Sequence, residues 1–148
     1  MVAMIPNTAA QATAVAAGMA EVAHSARLVG KQVIIVAGRS DALVPVNHNA
    51  RAYTALNRVL EGSGSAVSYI EVTNGQHFDS FLPFAGFDTR YIPLHVYYIR
   101  AMDAMWAHLK TGTALPPSQV VRTTPRGGTA ANTLAHVLAD LRLLLATP

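Results

Sequence analysis

The chain has 148 residues, of which 51% are hydrophobic and 13% are charged. This length predicts one domain with a sizeable core, and the composition excludes an intrinsically disordered chain. Charged residues usually make up about a quarter of a soluble domain. The low charge therefore indicates apolar surface that something outside this chain covers. The formal net charge is +3 and the basic residues are scattered, which argues against nucleic-acid binding.

The sequence also bears on membranes, targeting and metals. No apolar run reaches the roughly 18 residues that span a bilayer, and residues 1–6 lack the basic segment that opens a signal peptide. The absence of cysteine excludes disulfides and thiolate metal sites, and the histidines lack the His-Glu-x-x-His spacing of zinc enzymes. We expect no membrane partner, no metal and no cofactor, and the compartment stays open.

The first half of the chain predicts a strand–helix–strand unit. Residues 9–26 are rich in alanine and predict a helix that lies flat on a sheet and ends by Gly30. Residues 32–37 are a continuous apolar run, which is typical of a strand buried on both faces of a parallel sheet. Residues 46–61 repeat apolar side chains at helical spacing, and residues 67–72 predict a second, parallel strand.

The second half predicts helices and long loops. Residues 78–93 are rich in Phe, Pro and Gly, and a loop of this length suggests part of a site. An amphipathic helix is predicted over 94–109, followed by an extended Pro/Gly-rich loop, 111–128, and a terminal helix, 130–145. Two parallel strands do not make a stable sheet alone. The predicted fold is α/β: residues 1–148 form one partial domain, with two neighbouring edge strands of a larger sheet and three to four packed helices.

Both predicted strands end in a loop that carries a group suited to proton chemistry. Asp41 follows Ala37 by four residues, and His77 follows Val72 by five. Catalytic groups of open α/β sheets lie beyond the carboxyl ends of the strands. A histidine there accepts a proton from a hydroxyl nucleophile, and a carboxylate fixes its tautomer. The order Asp then His is that of α/β-hydrolases, in which the serine comes earlier.

Plainer roles stay open for each of these groups. Asp41 fits a turn or a helix cap, the commoner role of an aspartate after a strand, and His77 fits an ordinary loop histidine. Asp79 is a second carboxylate near His77, with a cap or turn as its alternative. It ranks below Asp41 because an acid must reach the histidine from a neighbouring strand end. The remaining histidines are expected to pack or to face solvent: His24, His48, His95 and His108.

Four segments, residues 38–48, 69–79, 91–97 and 115–128, resemble the C-terminal part of the D-(−)-3-hydroxybutyrate oligomer hydrolase family. Asp-x-Leu-Val-Pro and Gln-His-Phe-Asp recur across α/β-hydrolases, including tannase and feruloyl esterase relatives, whereas Ser-Gln-Val-Val-Arg-Thr-Thr-Pro-Arg-Gly-Gly is more specific. The resemblance implies a bacterial serine esterase that cuts short 3-hydroxybutyrate oligomers to monomers, downstream of polyhydroxybutyrate depolymerases. It also implies Asp41 as the triad acid and His77 as the general base.

The sequence departs from the family pattern in one large respect. Family members are several times longer, and their nucleophilic serine lies upstream in an elbow, whereas no Gly-x-Ser-x-Gly occurs here. Ser63 and Ser65 lie in a Gly-Ser linker, Ser40 adjoins Asp41, and Ala37 stands where His is expected. Without a nucleophile or oxyanion donors, the chain alone is expected to be inactive.

Two other functions stay open beside the esterase segment. The chain is alternatively a non-catalytic module that pairs with itself or with another chain through its apolar faces. It is alternatively a segment of an esterase for another acyl substrate, such as a feruloyl or tannic ester. Expected partners are small hydroxyalkanoate ester oligomers, and a second copy or the missing N-terminal part of the fold. The family resemblance leaves both a secreted and a cytoplasmic location open.

Overall fold

A computed structural model describes residues 8–125 of the chain. This part contains three helices and three strands, in the order α1 (Ala9–Val22), β1 (Val33–Gly38), α2 (Ala50–Glu61), β2 (Val67–Val72), α3 (His95–Thr111) and β3 (Gln119–Val121). Short 3₁₀ turns cover Val46–His48, Gly62–Gly64 and Asp79–Phe81. The predicted terminal helix, residues 130–145, lies outside the described residues.

The three strands form one parallel sheet in the order β1-β2-β3. The predicted parallel pairing of the first two strands is confirmed, with Val33 opposite Val67 and Gly38 opposite Val72. The expectation of only two strands is wrong, because β3 lies within the segment predicted as an extended loop. Three residues are too few to show a strand period. Side-chain bonds fix this strand beside β2: Ser118 accepts from the Tyr69 amide at 2.9 Å.

The core lies on the face of the sheet that α3 covers. Its buried members are Ile70, Val72, Ile92, Tyr97 and Val121. Ile34 and Val36 pack against this cluster from β1, yet β1 as a whole is only half-buried apart from Gly38. The prediction that β1 is buried on both faces is therefore wrong in these residues, because the sheet order leaves β1 at an edge. Burial instead is greatest on the central strand, β2.

Helix α1 departs most from the prediction. Thr8 caps the start of the helix, and its side chain accepts from the Gln11 amide. None of the helix residues is buried, so the prediction that this helix lies flat on a sheet is wrong within the described residues. The helix also ends at Val22, because Ala23 adopts an extended backbone. An almost uniform run of Ala, Val and Met offers no distinct face by which a sequence pattern can assign a partner.

Candidate functional site

The loops that follow β1 and β2 lie side by side because the two strands end in register. Gly38 is opposite Val72, and the Arg39 amide donates to the Val72 carbonyl at 2.8 Å. One residue further, the Ser40 amide donates to the Gly75 carbonyl at 3.0 Å. These backbone bonds continue the pairing past the strand ends. They hold the loop that contains Asp41 against the loop that contains His77.

The structure brings Asp41 and His77 together. His77 Nδ1 lies 2.8 Å from Asp41 Oδ2. The other oxygen, Asp41 Oδ1, accepts from the Leu43 amide at 2.9 Å and from the Val44 amide at 2.8 Å. Asp41 therefore also fills the turn role that its position suggested. One carboxylate closes its own loop and holds the imidazole of the neighbouring loop.

These hydrogen bonds set the charge of Asp41. Burial by itself raises the pKa of a carboxyl group, and the Asp41 side chain is only 13% exposed. Hydrogen bonds from the Val44 amide, the His77 ring and the Leu43 amide outweigh burial, so the pKa of Asp41 is lowered. An ionised Asp41 accepts from Nδ1–H and thereby leaves Nε2 of His77 as the unprotonated, basic nitrogen.

Gln76 joins the two loops and was missed by the sequence reasoning. Its side chain is buried, and Oε1 accepts from the Ala42 amide at 3.0 Å and from the His77 amide at 2.9 Å. One oxygen therefore links the residue after Asp41 to the residue that carries the imidazole. The only sequence signal is that Gln76 directly precedes His77. A buried glutamine in a loop has no periodicity that reveals its burial.

Gly38 and Gly75 permit the close approach of the loops. A Cβ at Gly38 would lie 2.5 Å from the Gly75 carbonyl oxygen, a backbone atom that cannot rotate away. We expect Gly38→Ala to destabilise the chain by about 1–3 kcal/mol and to lengthen the Asp41–His77 contact. Urea denaturation monitored by circular dichroism measures the first effect. Gly64→Ala is the control, because nothing lies within 4 Å of a Cβ there. Equal stability of both variants would contradict the close packing.

Asp79 and two of the other histidines have partners outside the Asp41–His77 pair. Asp79 accepts from the Leu94 amide at 2.7 Å and from the His95 amide at 2.9 Å, so it caps the start of α3, as its alternative role suggested. His24 packs against the Tyr53 ring, and His108 Nδ1 contacts the Thr113 carbonyl. Within the described residues, Asp41 is the carboxylate that contacts the His77 ring.

The serines of the described residues do not lie in the geometry of a nucleophile elbow. Ser63 and Ser65 precede β2, whereas His77 follows it, so the strand separates them from the imidazole. The Ser65 hydroxyl instead donates to Asn57 Oδ1 at 2.5 Å. Ser80 shares a cleft with His77, but it lies in the 3₁₀ turn Asp79–Phe81 rather than at the strand-to-helix turn that exposes a nucleophile.

An open cleft of about 450 Å³ lies beside the imidazole, and we call it the His77 cleft. It lies between the loop after β2 and the first turns of α3, and its lining residues are Val36, His77, Phe78, Asp79, Ser80, Leu94, His95 and Tyr98. Phe78 packs edge-on against the imidazole, with ring centroids 4.4 Å apart. Phe78, the first residue of the predicted site loop 78–93, therefore forms an aromatic wall of the cleft.

Residues 8–125 contain neither a membrane-spanning helix nor a metal-binding cluster. No helix in this range combines the length and apolar character that a bilayer crossing needs. No three side chains of His, Cys, Asp or Glu in the same range are grouped closely enough to hold a metal ion.

A parallel α/β sheet with a carboxylate–imidazole pair beyond its strand ends is suited to general acid–base chemistry. Comparison with known proteins identifies the family. The family model of the 3HB-oligomer hydrolases matches residues 1–148. A D-(−)-3-hydroxybutyrate oligomer hydrolase of Burkholderia ambifaria is 58% identical over 124 residues, covering 84% of this chain and 18% of that protein. The enzyme of the same description from Paracidovorax citrulli is 51% identical over 149 residues, covering 98% and 21%.

The chain belongs to the 3HB-oligomer hydrolase family. The family resemblance inferred from the sequence is thereby confirmed. The chain spans about a fifth of the length of the curated relatives it matches. No solved structure matches the chain.

Proposed function

We propose that this chain is the C-terminal segment of a serine esterase that hydrolyses 3-hydroxybutyrate oligomers to monomers. Asp41 is the acid and His77 is the general base, within an α/β-hydrolase fold. The remaining strands, the nucleophilic serine and the oxyanion donors come from polypeptide beyond these residues. The observation that carries the proposal is the 2.8 Å contact between Asp41 and His77 Nδ1 at the ends of neighbouring parallel strands.

The chemistry follows from the free ring nitrogen. His77 Nε2 accepts the proton of the serine hydroxyl while the serine oxygen bonds to the ester carbonyl carbon. The tetrahedral intermediate then expels the hydroxybutyrate alkoxide, which takes the proton from Nε2 as it leaves. Water repeats the sequence on the acyl-enzyme and releases the second product. Ionised Asp41 stabilises the imidazolium in both halves, and its low pKa keeps it ionised at neutral pH.

Exposed apolar surface supports the need for further polypeptide. Val15, Met19 and Val22 are exposed on α1, and β1 leaves one hydrogen-bonding edge unpaired within the described sheet. An open, apolar strand edge is a site for another strand. The same surface is what favours the second candidate function, a module that pairs with a copy of itself or with another chain.

A chimera tests the proposal. This 148-residue chain replaces the matching stretch of the Paracidovorax citrulli relative, and release of 3-hydroxybutyrate from its linear trimer is measured. We expect the chimera to hydrolyse the trimer and the isolated chain to release nothing above background. A folded chimera without activity would contradict the esterase proposal. A dimeric chain in size-exclusion chromatography, combined with such an inactive chimera, would favour the module. Turnover by the isolated chain that His77→Ala abolishes would place a nucleophile within these residues.

A further inference from the structure

The geometry points to the His77 cleft as the subsite for the hydroxybutyrate unit that leaves in the reaction, with Tyr98 and His95 as the residues that select this leaving unit. The inference rests on the proposed function, because it assigns a place to one half of the substrate. It adds a substrate-binding site where the sequence offered none.

The proton path fixes where the leaving unit must lie. A general acid acts on an oxygen within about 2.6–3.2 Å of the donating nitrogen. Nδ1 of His77 is engaged by Asp41, so Nε2 is the nitrogen that serves the leaving oxygen. The imidazole lines the cleft. A leaving alkoxide next to His77 therefore has its remaining atoms against the cleft walls.

The lining fits a short hydroxyacid ester. Apolar side chains, Val36, Phe78 and Leu94, offer contact area for the methyl branch and the carbon chain. Polar groups of Ser80, His95 and Tyr98 offer hydrogen bonds to ester and terminal oxygens. The volume of about 450 Å³ lies in the range of small-molecule sites, roughly 300–1,000 Å³. A flexible chain that alternates methyl branches and ester oxygens matches this mixture of groups.

Asp79 is the acidic group of the lining, and its position explains why the cleft keeps its shape. Both carboxylate oxygens accept from backbone amides at the start of α3, those of Leu94 and His95. The loop after His77 is thereby tied to the first turn of the helix. Tyr98 lies one turn further, and its ring lies nearly parallel to that of His95, with centroids 5.8 Å apart. The helix turn that carries these rings is therefore joined to the loop that follows the imidazole.

Tyr98 is the residue to test because it lines the cleft and is half exposed. It is 50% exposed, so much of the aromatic surface is available to a ligand. Met102 lies one turn along the same helix, is 54% exposed and does not line the cleft. The two residues differ in their place relative to the site and not in their burial. Met102→Ala is therefore a matched control for Tyr98→Ala.

The test compares two esters with the same acyl half. The 3-hydroxybutyrate dimer has a hydroxybutyrate leaving unit, whereas methyl 3-hydroxybutyrate releases methanol. In the chimera, Tyr98→Ala is expected to lower the ratio of kcat/KM for the dimer to that for the methyl ester by about tenfold. Met102→Ala is expected to leave this ratio unchanged. An unchanged ratio in Tyr98→Ala, or an equal shift in both variants, would overturn the subsite.

A binding measurement separates this inference from the proposed function. Free 3-hydroxybutyrate is titrated into the isotopically labelled 148-residue chain, and chemical shifts are followed by NMR. We expect the Tyr98 and His95 resonances to shift in a saturable way, with Met102 unaffected. Such shifts together with an inactive chimera would refute the esterase proposal and retain the ligand site. Hydrolysis without these shifts and without the change in ratio would retain the esterase and refute the subsite.

Discussion

In the chimeric esterase, His77→Gln and Asp41→Asn are each expected to lower kcat for the 3-hydroxybutyrate trimer by about 10³–10⁴-fold. Glutamine has no basic nitrogen to accept the serine proton. Asparagine at position 41 donates where the aspartate accepts, so it favours the wrong tautomer of His77 and cannot stabilise the imidazolium. KM is expected to change little, because neither group is proposed to bind the ester before reaction.

The double variant distinguishes an acid–base pair from two residues that act independently. The double variant is expected to be about as slow as His77→Gln alone, because Asp41 acts through the imidazole. His48→Gln is the matched control, since His48 is exposed and ends the 3₁₀ turn before α2, outside the site. Single variants with activity within a few-fold of the parent would contradict the assigned roles. So would losses that multiply in the double variant.

The second large effect concerns stability and the carboxylate of Glu71. Glu71 is almost fully buried on β2 and forms an ion pair with Arg39 and another with Arg51, while the Tyr69 hydroxyl donates to it at 2.7 Å. Arg39 directly follows β1, two residues before Asp41. The ion pair therefore ties the start of the aspartate loop to the central strand. Glu71→Gln removes the carboxylate from two half-exposed guanidinium groups, and we expect a loss of about 1–3 kcal/mol in unfolding free energy at pH 7.

The contribution of Glu71 to the unfolding free energy is expected to depend on pH. Hydrogen bonds from Arg51, then from Tyr69 and Arg39, outweigh burial and lower the pKa of Glu71 from 4.5 to about 2. A depressed native pKa stabilises the folded chain above the unfolded pKa, and the stabilisation disappears as pH falls through the native value. We therefore expect the unfolding free energy to fall by ~3 kcal/mol between about pH 5 and pH 2 on account of this group.

Urea denaturation across this pH range measures the effect. Glu71→Gln is expected to flatten most of the acid decline, whereas Glu21→Gln, which removes an exposed carboxylate of α1, is expected to keep it. An equally steep decline in Glu71→Gln would show that other groups dominate acid unfolding. Unchanged stability of this variant at pH 7 would contradict the structural role of the ion pairs.

The sequence predicted the elements that place the candidate pair. Two β-branched runs predicted β1 and β2, and the small-residue loops after them drew attention to Asp41 and His77. Helix 94–109 agrees with α3, His95–Thr111, to within two residues. Local patterns suffice here because strand runs, turn residues and helical spacing are each contained within one short segment.

The missed features depend on contacts between distant segments. β3 is recognisable only from its pairing with β2, since three residues carry no period. Gln76 gains its role from an amide 34 residues away. Asp79 and Asp41 have similar sequence surroundings, and only the fold shows that one caps α3 and the other contacts the imidazole. The exposed state of α1 likewise depends on what packs nearby and not on its own composition.

The tautomer of His77 in the 148-residue chain shows whether Asp41 and His77 form an acid–base pair. Long-range ¹H–¹⁵N NMR spectra distinguish a protonated from an unprotonated ring nitrogen at a pH where the imidazole is neutral. The Asp41 contact predicts a protonated Nδ1 and an unprotonated Nε2, with the preference lost in Asp41→Asn and absent in exposed His48. A His77 ring protonated at Nε2, or one indistinguishable from His48, would contradict the acid–base pair.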